Sequence, residues 1–470
     1  MRTDDRQAQR RSGSWSMVPD TARTRLADLR VLVVGAGMAG LTAARLLHDS
    51  GCRVTVLEAR DRMGGRTWTD HSLGVPCDLG GSWIHGADDN PLTNWCRALG
   101  IDLVYTHEGD PVFYAGGQAQ PPARTLDRAA YDFDAVGAKI AHLLERDDGS
   151  LRALDDAIAP LLDDPELTAY DRRVLAWILA VAEGVEGAPA RDMAITSWYP
   201  RESDMVNAMP KGGYGQLVED AAAGLEILCE HPVDRIDYAG DAVTVRVGAR
   251  VFTADAVVVT VPLGVLKAGK IAFAPALPAA KQAAIERIGY GGDGVLNKVT
   301  LLFDAPFWDT AETRFNALPD DIDQRGAFNT WFSLLPFNGA PMLLGFTNGL
   351  TAAAFDRNED DATIVARALD RLEAMFGRAI PQPAGYHVTR WLSDPWALGS
   401  YSYTHVATQP DDRRLYATPV DQRLYFAGEA ADTDHYGTVH AALRSGAAAA
   451  SAILCDQRGI DGTFANAPWA

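Results

Sequence analysis

Six residues, Gly35-Ala36-Gly37-Met38-Ala39-Gly40, constrain this chain more than any other stretch. They follow Leu29 to Val34, an uninterrupted apolar run that reads as a buried parallel strand. They precede Leu41 to His48, whose apolar residues recur at helical spacing, and Arg53 to Leu57 reads as a second strand. The first 60 residues are thus expected to form a β-α-β unit. In such a unit Gly35 permits a tight turn, Gly37 lets the backbone approach a pyrophosphate, and Gly40 allows helix and sheet to pack closely. The helix N-terminus presents free N–H groups and a positive dipole end to the phosphates. Glu58 lies 23 positions after Gly35, at the end of the second strand. A carboxylate there can accept both ribose hydroxyls, so a dinucleotide site is expected; the alternative is a glycine-rich turn that binds nothing.

Ala59 to Thr67 follows, with Gly64 and Gly65 set beside Arg60, Arg62 and Arg66. Glycines beside arginines make a second anion cradle, useful to a cofactor whose pyrophosphate needs more than one loop. The extension resembles the glycine doublet of two-domain FAD oxidoreductases and is not expected of simple NAD dehydrogenases.

The remaining chain reads as interleaved. Residues from about 96 to 205 are mostly helical in pattern, with charged breaks at Glu145 to Asp148 and at Asp163-Asp164. Short β-branched runs return at Ile227-Leu228, Val243 to Val245 and Ala256 to Val259. Lys298 to Phe303 and Pro341 to Thr347 are further strand candidates. Leu424 to Phe426 runs into Ala427-Gly428-Glu429, and a small-residue helix is expected over about 438–454. The expected division is a discontinuous nucleotide-binding domain over 28–95, 206–280 and 415–457, with a second domain over 96–205 and 281–414. Residues 1–27 read as a flexible arm and 458–470 as a tail.

Charge and cysteine content narrow the function classes. Forty-three basic against 62 acidic residues give a net charge of −19, a field that repels nucleic acid and anionic membrane surfaces. No stretch reaches the roughly 18 apolar residues of a spanning helix. The first 27 residues lack the apolar core of a secretory signal. Five cysteines with no CxxC spacing suggest buried free thiols in a reducing compartment, and a cytoplasmic location is expected. No metal-ligand cluster is seen.

Several further stretches resemble the flavin-containing amine oxidase family. They are Leu79 to Gly86 (with Ser82-Trp83-Ile84-His85-Gly86), Val261 to Leu266, Asn297-Lys298-Val299, Asp394 to Tyr403 (with Gly399-Ser400-Tyr401-Ser402-Tyr403), and Tyr425 to Glu429. They occur in the family's order and cover about residues 28–455. The match is closest to polyamine oxidases and to the catalytic domain of lysine-specific histone demethylases. The resemblance implies an α/β, two-domain FAD-dependent amine oxidase fold, with a Rossmann-like FAD domain and a mixed α+β substrate domain. It implies FAD near Gly35, Gly37, Gly40, Glu58, Arg60, Gly65, Arg66, Val233, Gly428, Glu429 and Val439.

The same resemblance implies site roles. Lys298, a lysine in a strand pattern where burial is costly, matches the family lysine that holds a water against the flavin. His85 matches a cavity position where it could bond the substrate amine or relay a proton. Tyr401 matches one wall of the amine pocket. The opposite wall aligns with Thr438, with Tyr436 two positions earlier. Trp391 and Trp396 are further aromatic candidates to face the flavin. Glu183 resembles an acid that receives the substrate's far ammonium, and Glu186 could serve equally. Ser400 stands where monoamine oxidases carry the cysteine that bonds FAD covalently, and none of the five cysteines lies between residues 230 and 454; non-covalent FAD is therefore expected.

The expected reaction is oxidation of a polyamine or related small amine by hydride transfer to flavin N5. Oxygen would serve as acceptor, with release of aldehyde, amine and hydrogen peroxide. The alternatives are a monoamine or L-amino-acid oxidase on the same fold, the latter wanting an arginine in its cavity, and a flavoprotein retained for binding alone. A histone-lysine demethylase-like protein ranks lower: the chain leaves no room for a long helical insertion between 300 and 400, shows no extra N-terminal helical module, and would repel DNA. The oligomeric state stays open.

Overall fold

A computed structural model describes residues 20–106, 113–115, 118–120, 153–195 and 206–460, together with 15, 18, 462, 464 and 466–469. The charged break at 145–148 lies outside the described residues.

The first strand is Arg30–Val34, its last four residues buried. It runs parallel to Arg53–Leu57 on one side and Ala256–Val259 on the other. Leu424–Phe426 and Glu226–Leu228 complete a five-stranded parallel sheet. Strands buried on both faces read as continuous apolar runs, which is why three of these five appear in the sequence with their bounds intact. Helix Met38–Ser50 and helix Val439–Arg458 pack together on one face. The late helix is rich in alanine and glycine because the approach is close: a Cβ on Gly446 would lie 2.3 Å from the carbonyl oxygen of Ala39. A four-stranded sheet, Arg250–Ala254, Val243–Val247, Arg235–Asp237 and Ala272–Ala274, covers part of the other face.

The second sheet has seven strands in the order 385–388, 297–302, 342–347, 327–333, 314–316, 113–115 and 118–120. Helix Asp361–Phe376 packs its apolar stripe, including Ile364, Ala368 and Leu372, against one face. Its other face looks toward the nucleotide-binding half. Two short strands, at 113–115 and 118–120, thus lie within the region whose pattern reads as mostly helical; the described helices there are Leu154–Leu162 and Ala169–Glu186. The arrangement is α/β with two domains, a parallel-sheet unit and a mixed α+β unit.

The ends of the chain are packed where they are described. Asp20–Leu26 is helical and Leu26 is fully buried. Trp15 meets Trp95 and Trp469 edge-on, with centroids 5.2 and 4.7 Å apart. The expectation of a loose arm over 1–27 therefore fails for its described part, and 1–14, 16, 17 and 19 lie outside the described residues. Aromatic burial outweighs the polar composition around it. Among the described cysteines three are buried, but Cys229 is half-buried and Cys455 exposed. Among the described residues no helix is long and apolar enough to cross a membrane.

Candidate active site

One cavity of about 1150 Å³ runs from the glycine turn of the first β-α unit to the inner face of the seven-stranded sheet. Gly35 takes φ +106°, and a Cβ there would lie 2.7 Å from the Thr260 hydroxyl. A Cβ on Gly40 would lie 2.0 Å from the carbonyl oxygen of Gly35. These two glycines answer to the protein's own packing. Gly37 differs: its φ of −78° suits any residue, and a Cβ would meet nothing nearer than 3.9 Å. Its bare backbone opens on the cavity beside the N-terminus of helix Met38–Ser50, and Gly65, at φ +58°, lies against it. Unfilled space over a glycine at a helix N-terminus fits a phosphate-bearing nucleotide.

Acids and arginines frame that space. Glu58 is buried and accepts from the backbone N–H groups of Ala36 (2.7 Å) and Arg60 (2.9 Å). The Arg60 guanidinium is held by Asp394 through two hydrogen bonds of 2.7 and 2.8 Å. Arg66 donates to Glu429 (2.9 Å) and to the Ser400 carbonyl (3.0 Å). Glu429 also accepts from the Ser402 hydroxyl and the Gly437 N–H. Burial alone would push the Glu429 carboxyl up, but Arg66, Ser402 and Arg413 hold it below the usual carboxylate range. Its carboxylate is thus spent on Arg66 and the 437 turn. Val233 and Val439 line the same cavity, as does Gly428, whose N–H donates to Ser445.

Lys298, in strand Asn297–Leu302 of the seven-stranded sheet, lines the cavity and is 5% exposed. Its ammonium donates to the carbonyls of Asp78 and Gly80 and to the Ser82 hydroxyl, and lies 5.6 Å from the Trp83 ring centroid. Burial lowers its pKa to about 8, against the raising influence of Asp78 and Cys77. Trp391 lines the cavity nearby and donates its indole N–H to Leu79 (3.2 Å). His85 is exposed at the cavity wall, with Nδ1 3.1 Å from Asn207 Oδ1.

Tyr401 lines the cavity with its hydroxyl donated to the Gly184 carbonyl. Tyr436 and Thr438 line it too, but neither is a bare wall. The Arg413 guanidinium stacks 3.7 Å from the Tyr436 ring centroid, and the Tyr436 hydroxyl accepts from Thr404. Thr438 caps helix Val439–Arg458 by accepting from the Ala441 N–H. Trp396 lines the cavity as well, with the Lys270 ammonium 5.3 Å from its ring.

Glu183 and Glu186, the two candidate acids of helix Ala169–Glu186, part company. Glu183 is 2% exposed and does not line the cavity; its carboxylate is taken by Arg325, at 2.7 and 3.2 Å, and by the Ala190 N–H. Glu186 lines the cavity. Of the two acids left open from sequence, only Glu186 reaches the cavity, because the Arg325 pairing withdraws Glu183 into the protein. Residues not singled out from sequence also face the space, notably Asn207, Arg314, Phe332 and Phe346. Asn207 could have been sought as the polar partner a loop histidine needs; Arg314 carries no local signal.

Comparison with known proteins agrees with this geometry. The profile of a family described as flavin containing amine oxidoreductase matches residues 38–454. "Probable polyamine oxidase 4" of Arabidopsis thaliana is 34% identical over 438 residues, covering 89% of this chain and 86% of that protein. "Lysine-specific histone demethylase 1 homolog 1" of Oryza sativa subsp. japonica is 35% identical over 450 residues, 90% of this chain, which spans 52% of that longer protein. Among solved structures, a redesigned double mutant of putrescine oxidase superposes with a TM-score of 0.72 at 21% identity, covering 91% of this chain and 99% of that one; this shows the shared fold. A glycine turn with open phosphate space, a buried lysine in the same cavity and a profile match across most of the chain lead to one conclusion: the protein belongs to the flavin-containing amine oxidase family.

Proposed function

We propose that this chain is an FAD-dependent amine oxidase acting on a polyamine or related amine, with oxygen as acceptor and with aldehyde, a smaller amine and hydrogen peroxide as products. The observation that carries the reading is the buried Lys298 ammonium in a cavity continuous with the dinucleotide turn. FAD bound along the glycine turn would supply the hydride acceptor and the route to oxygen, which side chains lack.

The chain's own groups divide the remaining work. Gly37, Gly65 and the N-termini of helices Met38–Ser50 and Val439–Arg458 would hold the phosphates and ring. Glu58 is placed for the ribose. No cysteine faces this cavity among the described residues, in keeping with non-covalent attachment. Trp83, Trp391 and Tyr401 would exclude water and so favour the uncharged amine, and His85 at the cavity wall would take the proton that the ammonium form gives up. Lys298, cationic below about pH 8, favours negative charge that develops near it. Glu186 is placed to pair with a substrate ammonium.

The test is anaerobic bleaching of the purified yellow protein by a panel of spermidine, spermine, putrescine, aromatic monoamines, amino acids and a methylated histone peptide. Bleaching by free amines, with peroxide on re-aeration, is expected. Bleaching by the peptide alone would move the substrate to the class named by the demethylase relatives, and no bleaching by any of them would refute the reading.

A further inference from the structure

Asn90, 4% exposed, precedes helix Pro91–Leu99 and serves three partners with one amide. Its Oδ1 accepts from the Leu92 N–H at 3.0 Å, and its Nδ2 lies 2.8 Å from the His85 carbonyl oxygen and 3.1 Å from His440 Nδ1. Two of these partners are backbone groups, whose roles as donor and acceptor cannot change. Turning the amide over would set its oxygen against the His85 carbonyl and its NH2 against the Leu92 N–H. The orientation is therefore fixed, and Nδ2 donates to His440 Nδ1. That ring nitrogen holds no hydrogen, so His440 is neutral and carries its proton on Nε2. An imidazolium would point N–H at NH2.

His440 is the second residue of helix Val439–Arg458, 6% exposed, and lines the cavity. Its ring rests on that of His435, with centroids 4.9 Å apart. Burial lowers its pKa to about 3; His435, His85 and Arg444 act in the same direction and Asp432 acts against them. Asp89 and Asp434 also line the cavity. Nε2 meets no protein acceptor among the described residues. A buried donor left without an acceptor is costly. This one stands in the first turn of a helix whose N-terminus opens on the cavity beside Val439. FAD offers oxygen acceptors along its whole length, in ring carbonyls, ribityl hydroxyls and phosphates.

We propose that His440 is a cofactor-binding residue, held by Asn90 with its proton on Nε2, and that this N–H donates to an oxygen of bound FAD. The inference rests on the FAD-dependent reading and adds to it a side chain and the residue that positions it. An uncharged donor of this kind keeps its hydrogen across the neutral pH range, which a histidine free to titrate would not.

The tautomer is read in the holoenzyme labelled with 15N at histidine, where long-range 1H–15N correlation separates a bare ring nitrogen from one that carries hydrogen. The His440 signal is the one missing from His440→Gln. Wild type is expected to show Nδ1 bare and Nε2 protonated from about pH 5.5 to about pH 8.5. Asn90→Asp keeps an oxygen to cap helix Pro91–Leu99 but turns a carboxylate toward Nδ1, so hydrogen should appear on that nitrogen. Fluorescence titration of the apoprotein then reads the donor itself. His440→Phe should weaken FAD about fivefold or more, the worth of one hydrogen bond, and His440→Gln should recover part of the loss, with melting temperature as the check on folding. Titration with ADP locates the acceptor: a loss shared by ADP puts it on the diphosphate, and a loss confined to FAD puts it on the flavin half. Hydrogen on Nδ1 in wild type, titration of His440 within that window, or unchanged FAD affinity in His440→Phe overturns the inference while leaving the FAD-dependent reading standing. A wild-type apoprotein that takes up no FAD overturns both.

Discussion

A methyl group on Gly37 would come no nearer to the protein than the carbonyl oxygen of Gly64, 3.9 Å away, whereas one on Gly40 would stand 2.0 Å from the carbonyl of Gly35. Neighbouring glycines of one motif therefore serve different masters. Gly37→Ala is expected to fold with near-native stability and to lose at least tenfold in FAD affinity, read by flavin fluorescence titration. Gly40→Ala is expected to lose stability by about 2 kcal/mol or more, the range of forced overpacking, with urea unfolding as the measure. Equal loss of stability in both would refute this division.

Lys298 is expected to matter most when oxygen enters. Lys298→Met should slow aerobic turnover at least tenfold while anaerobic bleaching by the same amine changes less. Burial lowers the lysine to about 8, so its cation is present below that pH and is lost as pH rises through it. The oxygen step should therefore decline above about pH 8 in wild type and stay flat in the variant, as stopped-flow absorbance would record.

Glu183 and Glu186 sit three residues apart on one helix and should respond oppositely. Glu183→Gln removes the carboxylate that holds Arg325 at 2.7 Å; breaking a buried pair from one side costs about 3 kcal/mol, so melting temperature should fall with KM little changed. Glu186→Gln should raise KM for the amine severalfold at near-constant melting temperature.

Lys281 is a second buried lysine, 3% exposed, with its ammonium 4.1 Å from the Phe426 ring centroid and donated to the carbonyls of Leu415 and Tyr416. Burial lowers it to about 7. Between pH 7 and the ordinary lysine range the unfolded chain holds a proton that the folded chain has released, so stability rises with pH across that window. Lys281→Met should flatten the rise by about 3 kcal/mol, an order of magnitude set by the size of the shift, as urea unfolding at pH 6, 8 and 9.5 would show.

Non-covalent attachment has a direct readout. Acid precipitation should leave the flavin in the supernatant, and reconstitution should restore the yellow colour; flavin remaining in the protein pellet would contradict it.

Much of the parallel sheet is legible because its strands are short and dominated by β-branched and other apolar residues, as at Arg53 to Leu57 and Ala256 to Val259. Lys298 is legible for the complementary reason: a charge interrupts an apolar strand. What escapes depends on partners distant in sequence. Glu183 and Glu186 look alike until Arg325, 142 positions away, takes one of them. Arg314 gains its place only from antiparallel register with Phe332. Trp15 reads as part of a polar arm until Trp469 closes over it.

The five-stranded sheet draws its edge, Leu424–Phe426, from the last tenth of the chain, and that edge lies beside Ala256–Val259. A ribosome making this protein must therefore hold the nucleotide half unfinished through more than 160 further residues, with a fully buried β-branched strand left open on one side. Exposed strands of that kind invite pairing with other chains. Synthesis that stalls after residue 260 should accordingly yield sticky, insoluble fragments, and the finished protein should fold slowly, in keeping with its long-range strand pairing.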